Sequence, residues 1–373
     1  MKIGCVKEIK KHEYRVGCTP ASVAAYVNDG HQFYLEKGAG EGSGFEDFEY
    51  ENAGAVIVDK AVDVWNQVDM LIKVKEPLQS EYQYFREGLI LYTYLHLAAN
   101  KELCDALLEK KVTGVAYETL SDKGGLPLLK PMSEVAGRLA VQEGAKYLEK
   151  PFGGSGILLG GVPGVNRGKI VIIGGGIVGI NAAKAALGIG ASVSILDKDL
   201  QRLEELYFTF NGQIQTLYST DYEIKRQIQD ADLVIGAVLI PGGKTPKLFK
   251  KEYLKLMKNG SVIVDVAVDQ GGCMETTHTT YHDDPTFVVD GVVHYCVGNM
   301  PGSVPRTSTT ALTNATLAYG LRIANKGIEE AIKDTIIASS INTYKGHISF
   351  QAVAEALGET YVALCDLQVK KIK

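Results

Sequence analysis

The stretch Lys169-Ile-Val-Ile-Ile-Gly-Gly-Gly-Ile-Val-Gly179 limits what this chain can fold into more than any other. Four β-formers, Ile170 to Ile173, run directly into a G-x-G-x-x-G pattern at Gly174, Gly176 and Gly179. A helical stretch from Ile177 to Leu187 follows, with Gly188 and Gly190 as stop signals. A second apolar strand, Ser192 to Leu196, then ends on Asp197, roughly 20 residues past the last glycine. Each residue type meets a physical demand. Gly174 permits a tight turn, Gly176 lets backbone amides approach a pyrophosphate, and Gly179 lets helix and strand pack closely. The helix N-terminus adds free N–H groups and a positive dipole end. A carboxylate at Asp197 can accept both ribose hydroxyls of adenosine and repels a 2′-phosphate. A glycine-rich turn alone recurs by chance in plain βα units. With its strand, helix, second strand and acid, this one predicts a Rossmann unit with NAD, not NADP, as cofactor.

At 373 residues the chain has room for roughly two domains, and 46% hydrophobic residues can supply their cores. Net charge is −5 and no basic block appears, which argues against nucleic acid or an anionic membrane as partner. No apolar run reaches the roughly 18 residues of a membrane span, and the N-terminus lacks a signal-peptide core. The six cysteines are scattered without a C-x-x-C pair, as expected of reduced thiols in a cytoplasmic protein.

Upstream of the fingerprint, apolar segments at Lys2 to Val6, Phe33 to Leu35, Ala55 to Val58, Met70 to Val74, Leu89 to Tyr94 and Val112 to Tyr117 read as strands. Helical stretches at Pro20 to Val27, Ala61 to Gln67, Ser80 to Arg86 and Lys101 to Lys110 lie among them. That alternation predicts a βα domain with a mainly parallel sheet. Pro131 to Lys150 reads as a helix able to join two domains. Downstream, strands are expected at Ile214 to Leu217, Leu233 to Ala237, Ser261 to Val266 and Val292 to Val297, with a helix at Lys250 to Met257. After Pro305 the pattern is helical over Ser308 to Asn325, Ile328 to Ala338, Phe350 to Leu357 and Tyr361 to Leu367. The expected architecture is α/β with two Rossmann-like domains. The NAD-binding domain, residues 131–305, is inserted between two segments of the other, 1–130 and 306–373.

Ligands of open α/β sheets bind at strand ends, and three of four titratable groups of interest fall there. Arg15 follows the first strand, Lys75 ends Met70-Leu-Ile-Lys-Val-Lys75, His96 follows Leu89 to Leu95, and Asp269 follows Ser261 to Val268. Taken singly, each has an ordinary reading: surface charges, a core histidine, a turn-forming aspartate. Together, two cations can fix a carboxylate and polarise a carbonyl, and an imidazole can shuttle protons near neutral pH. A carboxylate can hold an ammonium or orient water. Such a set suits oxidation of an amino acid by hydride transfer followed by imine hydrolysis. Cys273, His278 and His282 lie close in sequence, but the stretch lacks a second cysteine pair, and no metal site is expected.

With these residues in view, the chain resembles the family of bacterial alanine dehydrogenases and the NAD(P) transhydrogenase alpha subunit. The matching motifs span nearly its whole length. They are Glu13-Tyr-Arg-Val-Gly-Cys-Thr-Pro20, Leu71-Ile-Lys-Val-Lys-Glu-Pro77, Leu95-His-Leu-Ala98 and Pro131-Met-Ser-Glu-Val-Ala-Gly-Arg138. Further on stand Gly160-Gly-Val-Pro-Gly164, Asp265-Val-Ala-Val-Asp-Gln-Gly-Gly-Cys273 and Asn299-Met-Pro-Gly-Ser-Val-Pro305.

The resemblance implies that Arg15 and Lys75 bind substrate and that His96 and Asp269 are the catalytic acid/base pair. It implies NAD contacts at Ser133, Ile177, Asp197, Arg202, Ser219, Val238 and Leu239. Further contacts are implied at Val266, Ala267, Val268, Asp269, Gly298, Asn299, Met300 and Pro301. Arg202 stands where relatives often carry lysine, and His278 stands where some carry an arginine near the cofactor. The implied activity is reversible oxidative deamination of L-alanine to pyruvate and ammonium, in a homohexamer with a cleft between the domains. The alternative is a nucleotide-binding subunit of a membrane transhydrogenase. Retention of the Lys75-Glu-Pro77 and Leu95-His-Leu97 motifs argues against it.

Overall fold

The computed structural model describes residues 1–238 and 245–368. Six strands open the chain: β1 (Lys2–Cys5), β2 (Gln32–Glu36), β3 (Ala55–Val58), β4 (Met70–Ile72), β5 (Ile90–Thr93) and β6 (Thr113–Ala116). Seven follow: β7 (Lys169–Ile173), β8 (Ser192–Asp197), β9 (Gln215–Tyr218), β10 (Leu233–Gly236), β11 (Val262–Asp265), β12 (Thr286–Val289) and β13 (Val292–Tyr295). Two close the chain, β14 (Ile341–Tyr344) and β15 (His347–Ile348). These strands belong to two compact units, Met1–Met132 with Val304–Lys373, and Ser133–Ser303.

In the first unit the sheet order is β15-β14-β6-β5-β4-β1-β2-β3. Strands β1 to β6 are all parallel. Only β14 runs against them, so its pairings with β6 and with β15 are the antiparallel ones. Parallel strands need crossovers and are covered on both faces, which is why β4, β5 and β6 are buried along their whole length. One core layer joins Trp65, Leu71, Leu91, Leu103 and Leu107 to Ile348 and Val353 of the returning segment. The strand order reverses between β1 and β4. The loops leaving those two strands therefore open a crevice at the switch point.

The second unit repeats the plan, with order β9-β8-β7-β10-β11-β13-β12. All pairs are parallel except the edge strand β12. Its switch point lies between β7 and β10, where the fingerprint begins. The helix Lys130–Tyr147 continues into this unit and lies against the fingerprint helix Ile177–Gly188 at Gly137. A Cβ there would stand 2.3 Å from the carbonyl oxygen of Val178. No helix among the described residues is long and apolar enough to cross a membrane.

Several elements differ from the sequence expectation. The returning segment carries a hairpin, β14–β15, where only helices were expected. Its turn places Lys345 and Gly346 at φ 50° and 82°, the paired left-handed residues of a tight hairpin. The helix expected over Ile328 to Ala338 is two short ones, because Asp334 caps a fresh start by accepting Ile336 N–H at 3.0 Å. Helices expected at Ser80 to Arg86 and Lys250 to Met257 are 3-10 segments, Gln79–Tyr84 and Lys251–Leu256.

Candidate active site

Unit two presents the loops that leave the C-terminal ends of its six parallel strands. Beyond β7, Gly174 adopts φ 107°, and a Cβ there would meet the Ala237 carbonyl oxygen at 2.7 Å. Gly179 is tighter still, with a would-be Cβ 2.0 Å from the Gly174 carbonyl oxygen. Around Gly176, by contrast, a Cβ would meet no atom of the described residues within 4 Å. That opening lies at the N-terminus of Ile177–Gly188. The two outer glycines serve packing, and the middle one keeps room beside unpaired helix amides, the cradle a pyrophosphate needs.

Asp197 ends β8 beside this turn. Its Oδ2 accepts Gly175 N–H at 2.6 Å and its Oδ1 accepts Asp199 N–H at 3.0 Å, which aims the carboxylate along the fingerprint. Arg202 Nε donates to the Gly175 carbonyl at 2.6 Å, and its Nη1 pairs with Glu205 at 2.9 Å. Ser219, past β9, is buried and donates its N–H to the Asp197 carbonyl at 2.8 Å. Val238 follows β10 and touches the would-be Cβ position of Gly174. Leu239 lies outside the described residues.

Val266, Ala267, Val268 and Asp269 follow β11, and Gly298, Asn299, Met300 and Pro301 follow β13. One hydrogen bond ties the two loops, Asn299 N–H to Asp269 Oδ2 at 2.9 Å. Ser133 stands in the first turn of Lys130–Tyr147. Thr280 pairs with Val297, so His278 lies near the last of these strand ends, where its ring stacks on Phe287 at 4.1 Å.

In unit one, Arg15, Lys75 and His96 follow β1, β4 and β5, which are neighbours in the sheet. Arg15 is buried and gripped by Glu13, Nε to Oε1 at 2.6 Å and Nη2 to Oε2 at 2.5 Å. Burial opposes its charge, but the Glu13 bonds outweigh that and raise its pKa. Lys75 is half-buried, and desolvation, then the Arg15 charge, lower its pKa. His96 has left-handed backbone at φ 50°. Its ring stacks on Tyr94 with centroids 5.9 Å apart, and Nδ1 faces Glu118 Oε1 at 4.0 Å. Asp269, the fourth expected group, belongs to the other unit.

Several residues that shape these sites were not expected from sequence. Glu8 Oε1 accepts the N–H groups of Val74 at 2.6 Å and Lys75 at 3.1 Å, which pins the backbone carrying Lys75. Its other oxygen pairs with the fully buried Lys73 at 3.1 Å, and Glu81 takes the same ammonium at 3.0 Å. The attraction of both carboxylates prevails over burial and raises the Lys73 pKa. In unit two, buried Asp265 gathers the loop ahead of it. It accepts Ala267 N–H at 3.1 Å, Cys273 N–H at 3.0 Å and the Thr277 hydroxyl at 2.6 Å. Burial raises its pKa against those bonds. A lysine inside the apolar run Leu71-Ile-Lys-Val74 was the one available signal: a charge there needs a buried partner.

Two doubly wound sheets, one with a dinucleotide fingerprint and acid-ended second strand, define a nucleotide-binding dehydrogenase of the α/β class. Family models narrow this further. Those for the N-terminal and C-terminal domains of alanine dehydrogenase/PNT match residues 4–136 and 140–351. The chain belongs to the alanine dehydrogenase/PNT family. Alanine dehydrogenase of Bacillus subtilis (strain 168) is 57% identical over 364 residues, covering 97% of this chain and 96% of its own. That of Staphylococcus haemolyticus (strain JCSC1435) is 56% identical over 370 residues, 98% of this chain and 99% of its own. A solved L-alanine dehydrogenase superposes with TM-score 0.94 at 49% identity, covering 96% of this chain and 99% of that one. A transhydrogenase from Sinorhizobium meliloti gives 0.82 at 25% identity, covering 94% and 100%.

Proposed function

We propose that this chain catalyses the reversible oxidative deamination of L-alanine, with water and NAD⁺, to pyruvate, ammonium and NADH. The observation that carries the reading is the trio Arg15, Lys75 and His96 on the loops that leave three adjacent strands of unit one, in a chain of this family. The open cradle at Gly176 and the Asp197 carboxylate fit a dinucleotide without a 2′-phosphate. When bound, that cofactor supplies the hydride acceptor or donor.

The residues divide the remaining work. Arg15, held flat by Glu13, forms a fork for the substrate carboxylate. Lys75, an ammonium in a place that resists charge, gains most from an anionic or developing oxyanion partner. His96 takes a proton from the water that hydrolyses the imine and returns it in the reductive direction. By the resemblance Asp269 is the catalytic partner of His96, a carboxylate suited to an ammonium or iminium charge. The cofactor contacts are those at the strand ends of unit two, from Ser133 and the fingerprint to Pro301. A homohexamer completes the reading by resemblance. The transhydrogenase-subunit alternative has the weaker support, 25% identity against 57%.

The test is NADH formation from NAD⁺ and L-alanine, run beside NADP⁺ and a panel of amino acids. Fast turnover with L-alanine and NAD⁺ alone is expected. Serine and 2-aminobutyrate are expected as slow substrates, since one extra group changes binding by only about 1–3 kcal/mol. Silence with every amino acid, together with tight NADH binding, would refute the enzyme and leave the fold.

A further inference from the structure

We infer that Glu118 is the positioning residue for His96: its carboxylate builds the turn that carries the imidazole and faces Nδ1, leaving Nε2 to exchange the proton. The inference rests on the reading in which His96 moves protons. β5 and β6 are parallel neighbours, with Thr93 opposite Ala116. His96 lies just beyond the first strand and Glu118, in the 3-10 turn Tyr117–Thr119, just beyond the second. Both Glu118 oxygens accept Leu95 N–H at 3.2 Å, and Oε1 accepts His96 N–H at 2.6 Å. Those bonds hold His96 in a left-handed conformation that L-residues seldom adopt.

The same Oε1 stands 4.0 Å from Nδ1, an ion-pair distance once the ring is protonated. The ring plane is fixed separately, parallel within 5° to Tyr94, whose hydroxyl donates to the Leu128 carbonyl at 2.6 Å. Charged groups on the helices packed against this turn are engaged elsewhere. Lys101 pairs with Asp105 and Glu359, Glu102 accepts from Gln79, and Glu355 accepts from Gln351. Lys75 and Arg15 are the cations of the neighbouring strand ends. The carboxylate that faces the imidazole is Glu118.

The chemistry follows. When water adds to the iminium carbon, the new C–O bond forms as the C=N π pair moves to nitrogen and a water O–H breaks, and Nε2 takes that proton. The ring then carries a positive charge, with the Glu118 carboxylate across from it. A fixed anion at that edge offsets the charge that develops on the ring during the step and leaves Nε2 for substrate.

Glu118→Gln separates the two roles, because the amide oxygen can still accept the His96 N–H but carries no charge. In the full-length enzyme it is expected to lower kcat about ten- to a hundredfold. Pyruvate KM and NADH affinity should stay within about twofold. Glu118→Asp keeps the charge at shorter reach and is expected to turn over faster than Glu118→Gln. A Glu118→Gln enzyme with wild-type kcat would overturn the inference, as would Glu118→Asp no faster than Glu118→Gln. His96→Ala run alongside separates the failures. If it keeps turnover, the proton role of His96 falls; if it is inactive while Glu118→Gln is normal, only Glu118 falls.

Discussion

Lys75 is a cation in a place that favours its neutral form, because it is half-buried and shares its surroundings with Arg15. Its pKa is lowered, so it sheds its proton at a lower pH than the ordinary lysine value of about 10.4. If the ammonium must meet an anionic substrate, kcat/KM for pyruvate, which reports the free enzyme, falls as pH rises through that lowered value. The alkaline decline therefore begins below the usual lysine range. Lys75→Arg stays charged throughout and should abolish that limb, at a reduced rate because a planar fork does not replace a compact ammonium. An unchanged alkaline limb in Lys75→Arg would remove Lys75 as its source. At this scale Lys75 and His96 were legible because each closely follows an apolar strand within a motif, and Arg15 through its motif alone. Glu8, Glu118 and Asp265 were not. An acid at or just past a strand's end looks like an ordinary polar residue until the fold shows which backbone N–H groups it meets.

Among elements, the fingerprint turn is where local sequence and tertiary packing agree best. Its three glycines nevertheless carry different loads. Gly179→Ala would drive a methyl to within 2.0 Å of the Gly174 carbonyl oxygen, and backbone cannot move aside cheaply. Overpacking of this kind costs about 1–3 kcal/mol or more, so the thermal midpoint should drop clearly. Gly176→Ala meets no atom of the described residues within 4 Å, so its midpoint should stay near wild type. NADH affinity should nevertheless fall at least about tenfold, because the methyl enters the space proposed for the pyrophosphate. Thermal melts and NADH fluorescence titrations on both variants decide the matter. Equal loss of stability in the two would contradict this division. Other elements were less legible for physical reasons. Helix and 3-10 turns share one apolar spacing, so Gln79–Tyr84 and Lys251–Leu256 could not be told from α-helix. The hairpin β14–β15 was hidden because Ile341-Asn-Thr-Tyr344 is short and lies between helical stretches. Its antiparallel partner β6 is more than 200 residues earlier.

At the scale of the whole chain, both units use one strand order, and they differ in how the sequence reaches them. Unit two is one continuous stretch, Ser133–Ser303, while unit one needs the segment that begins at Val304. That segment supplies β14, whose pairing covers the edge of β6, and places Ile348, Val353 and Ala354 in the core with Leu71 and Leu91. Fully burying a large aliphatic side chain is worth about 1.5–3 kcal/mol. Total stability is only about 5–15 kcal/mol, so losing the hairpin and these side chains should be enough to unfold the sheet of unit one. A chain ending at Ser340 is therefore expected to lose amino-acid turnover and the part of its circular dichroism due to that unit. NADH binding should survive within a few-fold, because the fingerprint, Asp197 and the loops past β11 and β13 lie in the uninterrupted stretch. Titration of NADH fluorescence on the shortened chain, beside its melting curve, tests this directly. An active shortened enzyme would mean that the first sheet closes at β6 unaided. Loss of NADH binding together with turnover would mean that the inserted unit folds only when the surrounding one does.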